Sequence, residues 1–245
     1  MLFTQKAFLH NNIYKPFLTM LFSMRLICGI DEAGRGAVVG PLVIAGISIA
    51  ENDEEKLKKL KVKDSKLLTK NQRDELYNKI LSVAHDYQIK IILPEEIDNA
   101  VAGQGNLNLN WLEAEHSALI IKKLSPYKVI IDCPSTNTSA YRNYLLKRIS
   151  NSNLILVAEH KADINYPVVS SASIIAKVTR DREIDKLKSI VKIDFGSGYP
   201  SDPRTVDFLN KHFNKFPEIF RKTWMTVRNH NTKKNQKSLM DYTQK

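Results

Sequence analysis

The chain has little cysteine, a shortage of acidic charge and no long apolar run. Its two cysteines, Cys28 and Cys133, cannot build a four-ligand zinc site and do not resemble the disulfide pattern of a small secreted domain. We expect both to be free buried thiols in a cytoplasmic protein. The apolar stretch at residues 16–24 is well below the roughly 20 residues of a spanning helix, so no membrane association is expected.

Residues 1–24 precede the first clear strand and have two interpretations. Lys6 and Lys15 lie ahead of the apolar stretch, as in a weak signal peptide, but no small-residue cleavage site follows it. Met20 and Met24 offer alternative starts just before the strand. We therefore expect a leader or non-essential extension.

Basic residues outnumber acidic ones by 37 to 26, which gives a net charge of +11. A surplus of this size indicates the partner rather than the fold, and it favours a polyanion such as DNA or RNA. The hydrophobic content of 43% over 245 residues is sufficient for a packed core. A wholly disordered basic protein is therefore excluded.

Short β-branched runs alternate with segments of helical periodicity, which predicts an α/β domain with a mixed sheet flanked by helices. The predicted strands are residues 25–30, 41–50, 89–93, 128–132 and 154–159. One predicted helix begins near Thr69, and the others cover residues 106–124, 170–187 and 203–213. Apolar periodicity ends at Asn229, which predicts a flexible tail over residues 229–245.

Carboxylates follow three of these strands. Asp31 and Glu32 end the first strand, Asp132 ends the fourth, and Asp163 comes shortly after the fifth. If the strands are neighbours, several buried negative charges converge, and they need a cation to remain ionised. Oxygen ligands favour Mg²⁺ or Mn²⁺ over zinc, and two such ions form the catalytic centre of many nucleases. The alternative is that each acid only begins a turn or caps a helix.

The segment 34–40 holds three glycines around Arg35. It is only a weak match to a dinucleotide-binding loop, because a strand rather than a helix follows it. Without side chains at Gly34 and Gly36, the backbone can approach a ligand closely. Beside a metal site, this loop suits a sugar–phosphate backbone.

Five segments in a fixed order carry a family resemblance. They are Asp31-Glu32-Ala33-Gly34-Arg35-Gly36, Asp64-Ser65-Lys66, Ile130-Ile131-Asp132, the run from Lys161-Ala162-Asp163 to Asp181, and Gly196-Ser197-Gly198-Tyr199-Pro200. Together they resemble ribonuclease HII, the type 2 ribonuclease H, and most closely its archaeal and eukaryal branch. Cys133 departs from the glycine that often follows the third acid of that family.

The resemblance implies a ribonuclease H-like fold with a C-terminal helical part, here residues 25–228. It implies hydrolysis of the RNA strand of RNA–DNA hybrids and incision at single ribonucleotides in duplex DNA, with two Mn²⁺ or Mg²⁺ ions. The products would carry 3′-hydroxyl and 5′-phosphate ends. We expect the chain to act as a monomer.

Carried over residue by residue, the resemblance assigns the metal ions to four acids, Asp31, Glu32, Asp132 and Asp163. It places the ribose 2′-hydroxyl and the following phosphate at Gly34, Arg35 and Gly36. It places Tyr199 against the sugar at the junction of ribonucleotide and deoxyribonucleotide. Further expected phosphate contacts are Lys66, Lys161 and Ser171.

Three other polar side chains have two interpretations each. Lys177 and Arg180 lie three apart on one predicted helix, where each either meets a phosphate or belongs to a solvated face. His160 ends a strand beside the acids, where it is a metal neighbour or a structural histidine, and we favour the structural role.

The tail contains a short motif, Gln236 followed by Leu239 and Tyr242. It resembles the peptide that docks on the replication sliding clamp, because the two apolar residues share one face of a helical turn. Thr243 stands where that motif has a second aromatic residue, and short motifs also match by chance.

Two alternatives to this function stay open. The first is a different two-metal nuclease, such as a junction resolvase or ribonuclease HIII. The second is a catalytically silent hybrid-binding protein, although a binding module has no need of acids where phosphates dock.

Overall fold

The structure is a computed structural model that describes residues 25–62 and 69–232. These residues contain a five-stranded sheet in the order β3-β2-β1-β4-β5. β2 pairs antiparallel with both β1 and β3, whereas β4 runs parallel to both β1 and β5. The strands are β1 (Leu26–Ala33), β2 (Leu42–Ala50), β3 (Asp86–Ile92), β4 (Lys128–Asp132) and β5 (Ile155–Glu159).

Helices cover both faces of the sheet and form the C-terminal part. They are α1 (Glu54–Lys59), α2 (Lys70–Val83), α3 (Pro94–Val101), α4 (Leu109–Leu124), α5 (Thr138–Ile149), α6 (Ala162–Asn165), α7 (Pro167–Val191) and α8 (Pro203–His212). A last helix, α9, covers residues 225–232. Within the described ranges, none of these helices combines the length and apolar character that a bilayer crossing requires.

The predicted mixed sheet with flanking helices is confirmed, with two differences at element level. β1 does not stop at Ile30 but continues to Ala33, because β2 pairs with it as far as Val43. The helices α1, α3, α5, α6 and α9 were not predicted. The predicted start of α2 is confirmed, since the Thr69 side chain accepts a hydrogen bond from the Gln72 backbone and caps the helix.

Residues 229–232, the first four of the predicted tail, continue α9. Val227 is fully buried and anchors this helix in the C-terminal core. The His230 ring lies 5.7 Å from that of Phe213, which extends the contact beyond the expected boundary. Residues 233–245 lie outside the described part of the chain.

β1 faces two separate cores, because successive side chains of a strand point to opposite faces of a sheet. Cys28 and Ile30 pack in the core that contains residues of α4 and α5. Ile27 packs in the core that contains residues of α7. Gly29 also faces α7, and a Cβ atom there would lie 2.4 Å from the backbone carbonyl of Val168. The helix therefore rests directly on the strand.

A third core supports the loop between β1 and β2. Val38 and Val39 from that loop are buried with aromatic side chains of the C-terminal part, Phe195, Phe208 and Phe220. The backbone of Val39 also bridges to Phe220. The C-terminal part thus packs directly against the glycine loop.

Candidate active site

The sheet brings three of the predicted acids to one end. β1 and β4 are parallel with Ile30 beside Ile131, so Asp31 and Asp132 follow at the same level. Asp163 lies in the short helix α6, which begins three residues after β5. Asp31 interacts electrostatically with both Asp132 and Asp163.

Asp31 is the most enclosed of these three acids, with 5% of its surface exposed. Burial raises its pKa to about 7, and the charges of Asp132 and Asp163 add to the rise. Hydrogen bonds from the Ser173 side chain and from the Glu32 backbone N–H, at 2.7 Å, oppose that rise. Among the described residues, the groups that favour the charged form of this carboxylate do not outweigh its burial and the neighbouring negative charges.

Asp132 is half-buried beside it and accepts a hydrogen bond from the Ala162 backbone N–H at 3.2 Å. Burial, followed by the charge of Asp163, raises its pKa. The neighbouring His160 places Nδ1 3.0 Å from the Cys133 carbonyl oxygen, in line with a structural role. Cys28 and Cys133 are free buried thiols, as expected.

Glu32 follows Asp31 in β1, so its side chain leaves the strand on the other side, but its carboxylate still interacts electrostatically with Asp31 and Asp132 at this end of the strand. Burial and the charge of Glu113 raise its pKa, whereas Arg35 lowers it. Glu113 is buried in α4 and pairs with the Arg35 guanidinium, which also donates to Asn110 Oδ1 at 2.7 Å. Burial raises the pKa of Glu113 to about 7, against the opposing effect of Arg35.

Sequence reasoning missed Glu113 and Asn110. Glu113 is an acid between Leu112 and Ala114, both of which are buried in the same helix. A charged residue within an apolar stretch was the available signal, because such a residue is rarely buried without a partner.

The acids provide oxygen donors without enough cationic compensation. No group of three or more His, Cys, Asp and Glu residues in the described ranges is already arranged to hold a metal ion. The donor set nevertheless fits a hard divalent cation, because it consists of carboxylates whose pKa values are raised by burial and mutual repulsion.

The glycine loop follows β1 directly. Gly34 has φ = +91°, and a Cβ atom there would lie 2.5 Å from Arg180 Nε, so a side chain would meet both backbone strain and a clash. Gly36 is exposed, and a Cβ atom there would meet nothing within 4 Å. The loop therefore presents open backbone next to the acids.

Tyr199 is half-buried and lies against the same loop, because Gly198 O accepts hydrogen bonds from the backbones of Val38 and Val39 at 2.8 and 3.1 Å. Its turn is held by Asp202, which accepts from the backbone N–H groups of Ser197 at 2.8 Å and Arg204 at 3.0 Å. Asp202 also caps α8.

Replacing Asp202 with alanine is expected to lower the free energy of unfolding by about 1 kcal/mol near neutral pH, as for other N-caps. The hydrogen bond from Ser197, together with Arg204, lowers the Asp202 pKa from 3.8 to about 2. Its contribution is thus complete above about pH 4 and declines as the pH falls towards 2. Urea denaturation at several pH values should show the two proteins converging in acid. Asp207→Ala on the same helix is the control, and a gap independent of pH would contradict the prediction.

The remaining predicted substrate residues differ in position. Lys161 is exposed and precedes α6 as its N-cap residue, with φ = +60°. Ser171 is fully buried, and its hydroxyl donates to the Pro167 carbonyl at 2.7 Å. That hydroxyl is therefore enclosed in this conformation, and a phosphate contact by Ser171 stays a prediction. Lys66, Gln236, Leu239 and Tyr242 lie outside the described residues.

Lys177 and Arg180 have different environments: Lys177 is partly exposed, whereas Arg180 is buried. Lys177 donates to Asp181 Oδ1 at 2.8 Å on a partly exposed face of α7. Arg180 is 1% exposed, so its interpretation as part of a solvated face is wrong.

A family model and several known proteins match most of the chain. The model of the family "Ribonuclease HII" matches residues 28–227. Ribonuclease HII of Pyrococcus furiosus is 48% identical over 206 residues, which cover 82% of this chain and 89% of that protein. Ribonuclease HII of Methanococcus maripaludis strain C7 is 46% identical over 218 residues, 85% of this chain and 88% of that protein.

Solved structures give the same result. Ribonuclease H2 from Pyrococcus horikoshii OT3 superimposes with a TM-score of 0.78 and 41% identity, over 85% of this chain and 98% of that one. RNase HII from Archaeoglobus fulgidus, solved as a complex with PCNA, has a TM-score of 0.75 and 41% identity. The match covers 83% of this chain and 96% of that one. Bst-RNase HIII shares the fold alone. It has 18% identity and a TM-score of 0.66, and the match covers 85% of this chain and 70% of that one. The chain therefore belongs to the ribonuclease HII family of metal-dependent endoribonucleases that act on RNA–DNA hybrids.

Proposed function

We propose that this chain cuts the RNA strand of RNA–DNA hybrids and also incises at single ribonucleotides in duplex DNA, leaving 3′-hydroxyl and 5′-phosphate ends. The observation that carries the proposal is the juxtaposition of the buried Asp31 with an open glycine loop. Asp31 interacts with Asp132 and Asp163, and Gly34 and Gly36 follow it within the same segment.

The proposed metal ligands are four acids, Asp31, Glu32, Asp132 and Asp163. Two bound Mg²⁺ or Mn²⁺ ions supply an activated water and neutralise the leaving oxygen in enzymes of this class. The chain's own task is to hold these carboxylates at fixed positions, on β1, on β4 and in α6, so that the scissile phosphate is oriented for attack. Ser173 and the Ala162 backbone contribute by fixing Asp31 and Asp132.

The glycine loop and Tyr199 are the proposed reader of the sugar. A 2′-hydroxyl distinguishes RNA from DNA at a given position, and the open backbone at Gly36 lets that hydroxyl be approached without a side chain in the way. Arg35 is held by Glu113 and Asn110, so its orientation beside the loop is fixed. Tyr199 is proposed to pack on the next sugar, and Lys161 and Lys66 to contact phosphates.

A cleavage assay tests this function directly. Purified protein with Mg²⁺ or Mn²⁺ should cut a DNA duplex that contains one ribonucleotide, as well as a continuous hybrid. Cleavage of the hybrid alone would indicate the ribonuclease HIII type of specificity, and cleavage of a four-way DNA junction would indicate a resolvase. A protein inert on all three substrates in both metals would refute the proposal.

We further propose that the tail docks on the replication sliding clamp through Gln236, Leu239 and Tyr242. The support is the motif itself and the complex of the Archaeoglobus fulgidus relative with PCNA. A peptide of residues 235–245 should bind the cognate clamp by calorimetry, and Leu239→Ala should abolish the signal. No heat of binding at high micromolar peptide would contradict docking.

The proposed catalytic unit is residues 25–228, which act as a monomer in the cytoplasm. Residues 1–24 are proposed to be dispensable for cleavage, and α9 belongs structurally to the catalytic unit.

A further inference from the structure

Two buried arginines lie behind the glycine loop. Arg180 and Arg221 are 1% and 0% exposed, the largest fully buried side chains in the described residues. Burial lowers the pKa of both, and it lowers that of Arg221 to about 9 with help from the Arg180 charge. Burying two like charges side by side is costly, so their retention calls for a specific task.

Arg221 ties together the two ends of the loop between β1 and β2. Its Nη1 donates to the carbonyl oxygen of Arg35 at 2.8 Å, and its Nε donates to that of Gly40 at 3.1 Å. Its own backbone N–H donates to Val38 O at 3.0 Å. The C-terminal part therefore fixes this loop at three points.

Arg180 connects that loop to Tyr199. Its Nη2 donates to the Ser197 carbonyl at 2.9 Å, and its guanidinium carbon lies 4.5 Å from the centre of the Tyr199 ring. Nε and Cδ of the same side chain fill the space where a side chain at Gly34 would be, at 2.5 and 2.6 Å from its Cβ position. One side chain thus sets the spacing between the glycine loop and the tyrosine.

The hydrogen bonding of the pair is incomplete. Arg180 Nε and Arg221 Nη2 are buried, and neither has a hydrogen-bond partner in the described part of the chain. A buried donor without a partner costs stability, so these arginines are poorly explained as simple core stabilisers. Their donors that are satisfied all bind carbonyls of the two segments that border the site.

We propose that Arg180 and Arg221 are positioning residues that set the selectivity for a ribonucleotide followed by a deoxyribonucleotide. They would do so by fixing the distance between the glycine loop, which reads the 2′-hydroxyl, and Tyr199, which packs on the next sugar. This inference rests on the proposed function and deepens it, because it explains how two separate readers act on one dinucleotide step.

The test compares Arg180→Gln and Arg180→Lys with Arg182→Gln, an exposed arginine on the same helix that pairs with Asp74. kcat and KM are measured on a duplex with one ribonucleotide and on a continuous RNA–DNA hybrid. The junction sugar exists only in the first substrate. A change in the distance between the glycine loop and Tyr199 should therefore lower kcat/KM on the single-ribonucleotide duplex at least about tenfold more than on the hybrid. Arg182→Gln should change neither value, and Arg221→Lys should behave like Arg180→Lys.

A second arm separates positioning from general support of the fold. In a Tyr199→Ala background, Arg180→Gln should add less than about a threefold loss on the single-ribonucleotide duplex, because residues that act as one unit are not additive. Equal proportional losses on both substrates, or additive losses in the double variant, would overturn the inference. If Arg180→Gln does not fold, the same test is made with Arg180→Lys, by comparing its losses of kcat/KM on the two substrates. A wild-type chain that cuts neither substrate overturns the proposed function and the inference together, whereas an active chain with an unchanged ratio overturns the inference alone.

Discussion

Asp31→Asn is expected to lower the rate of cleavage by at least about 10³-fold, because it removes a charge at the centre of the proposed metal site. The loss should appear in kcat, whereas affinity for the hybrid should be kept, because duplex binding depends mainly on the surplus basic residues. Single-turnover cleavage and an electrophoretic binding assay on the same preparation measure the two effects separately.

The same substitution is expected to leave the fold intact in the absence of metal. The Asp31 carboxylate is 5% exposed, and its pKa is raised by burial, so a neutral amide of the same shape costs less to bury. The melting temperature should therefore be equal to or higher than that of the wild type. Asp207→Asn, an exposed acid paired with Lys211, is the matched control and should change neither activity nor stability. A cleavage rate within tenfold of wild type would remove Asp31 from the site.

Gly29→Ala is expected to lower the free energy of unfolding by at least about 3 kcal/mol, at the high end of overpacking effects. The new Cβ atom would lie 2.4 Å from the carbonyl carbon and oxygen of Val168 and 2.6 Å from the backbone nitrogen of Val169. These are backbone atoms near the start of α7, so no rotamer change can relieve the clash. Urea denaturation gives the change in free energy.

Gly36→Ala is the control for this substitution. A Cβ atom at Gly36 would meet nothing within 4 Å, so the stability should change by less than about 0.5 kcal/mol, as at other surface sites. Cleavage should nevertheless fall, since the methyl group would stand where the sugar is proposed to approach. The opposite result, a stable Gly29→Ala and an unfolded Gly36→Ala, would contradict the contact between β1 and α7.

Most strands were predictable because their apolar runs reflect burial on both faces. β4 matches its prediction residue for residue, whereas α3 and α5 were missed because their sequences mix polar and apolar residues. In α5, Tyr141 and Leu145 are two of the buried positions, a weak periodic signal in a polar segment. The C-terminal extension of β1 was also missed, since acidic residues at a strand end suggest a stop.

The site was predictable where chemistry stands out against its local sequence. Acids after apolar strands are conspicuous, so Asp31, Asp132 and Asp163 could be chosen before their positions were known. Arg221 gave no such signal, because it binds the carbonyl of Arg35, 186 positions away in sequence. Pairings of that separation are set by tertiary packing, which local periodicity does not encode.

The third core has a consequence for how this protein can be divided and recombined. Val38 and Val39 lie between two strands of the sheet in sequence, yet they are buried with Phe195, Phe208 and Phe220 near the other terminus. Close packing makes such sets interdependent in volume. A chimera that joined this sheet to the C-terminal helices of a relative would therefore also need the relative's loop between β1 and β2, so that the loop still packs against those helices. The loop and the C-terminal helices must be exchanged together because these five apolar side chains pack against one another, and the acids of the site play no part in that constraint.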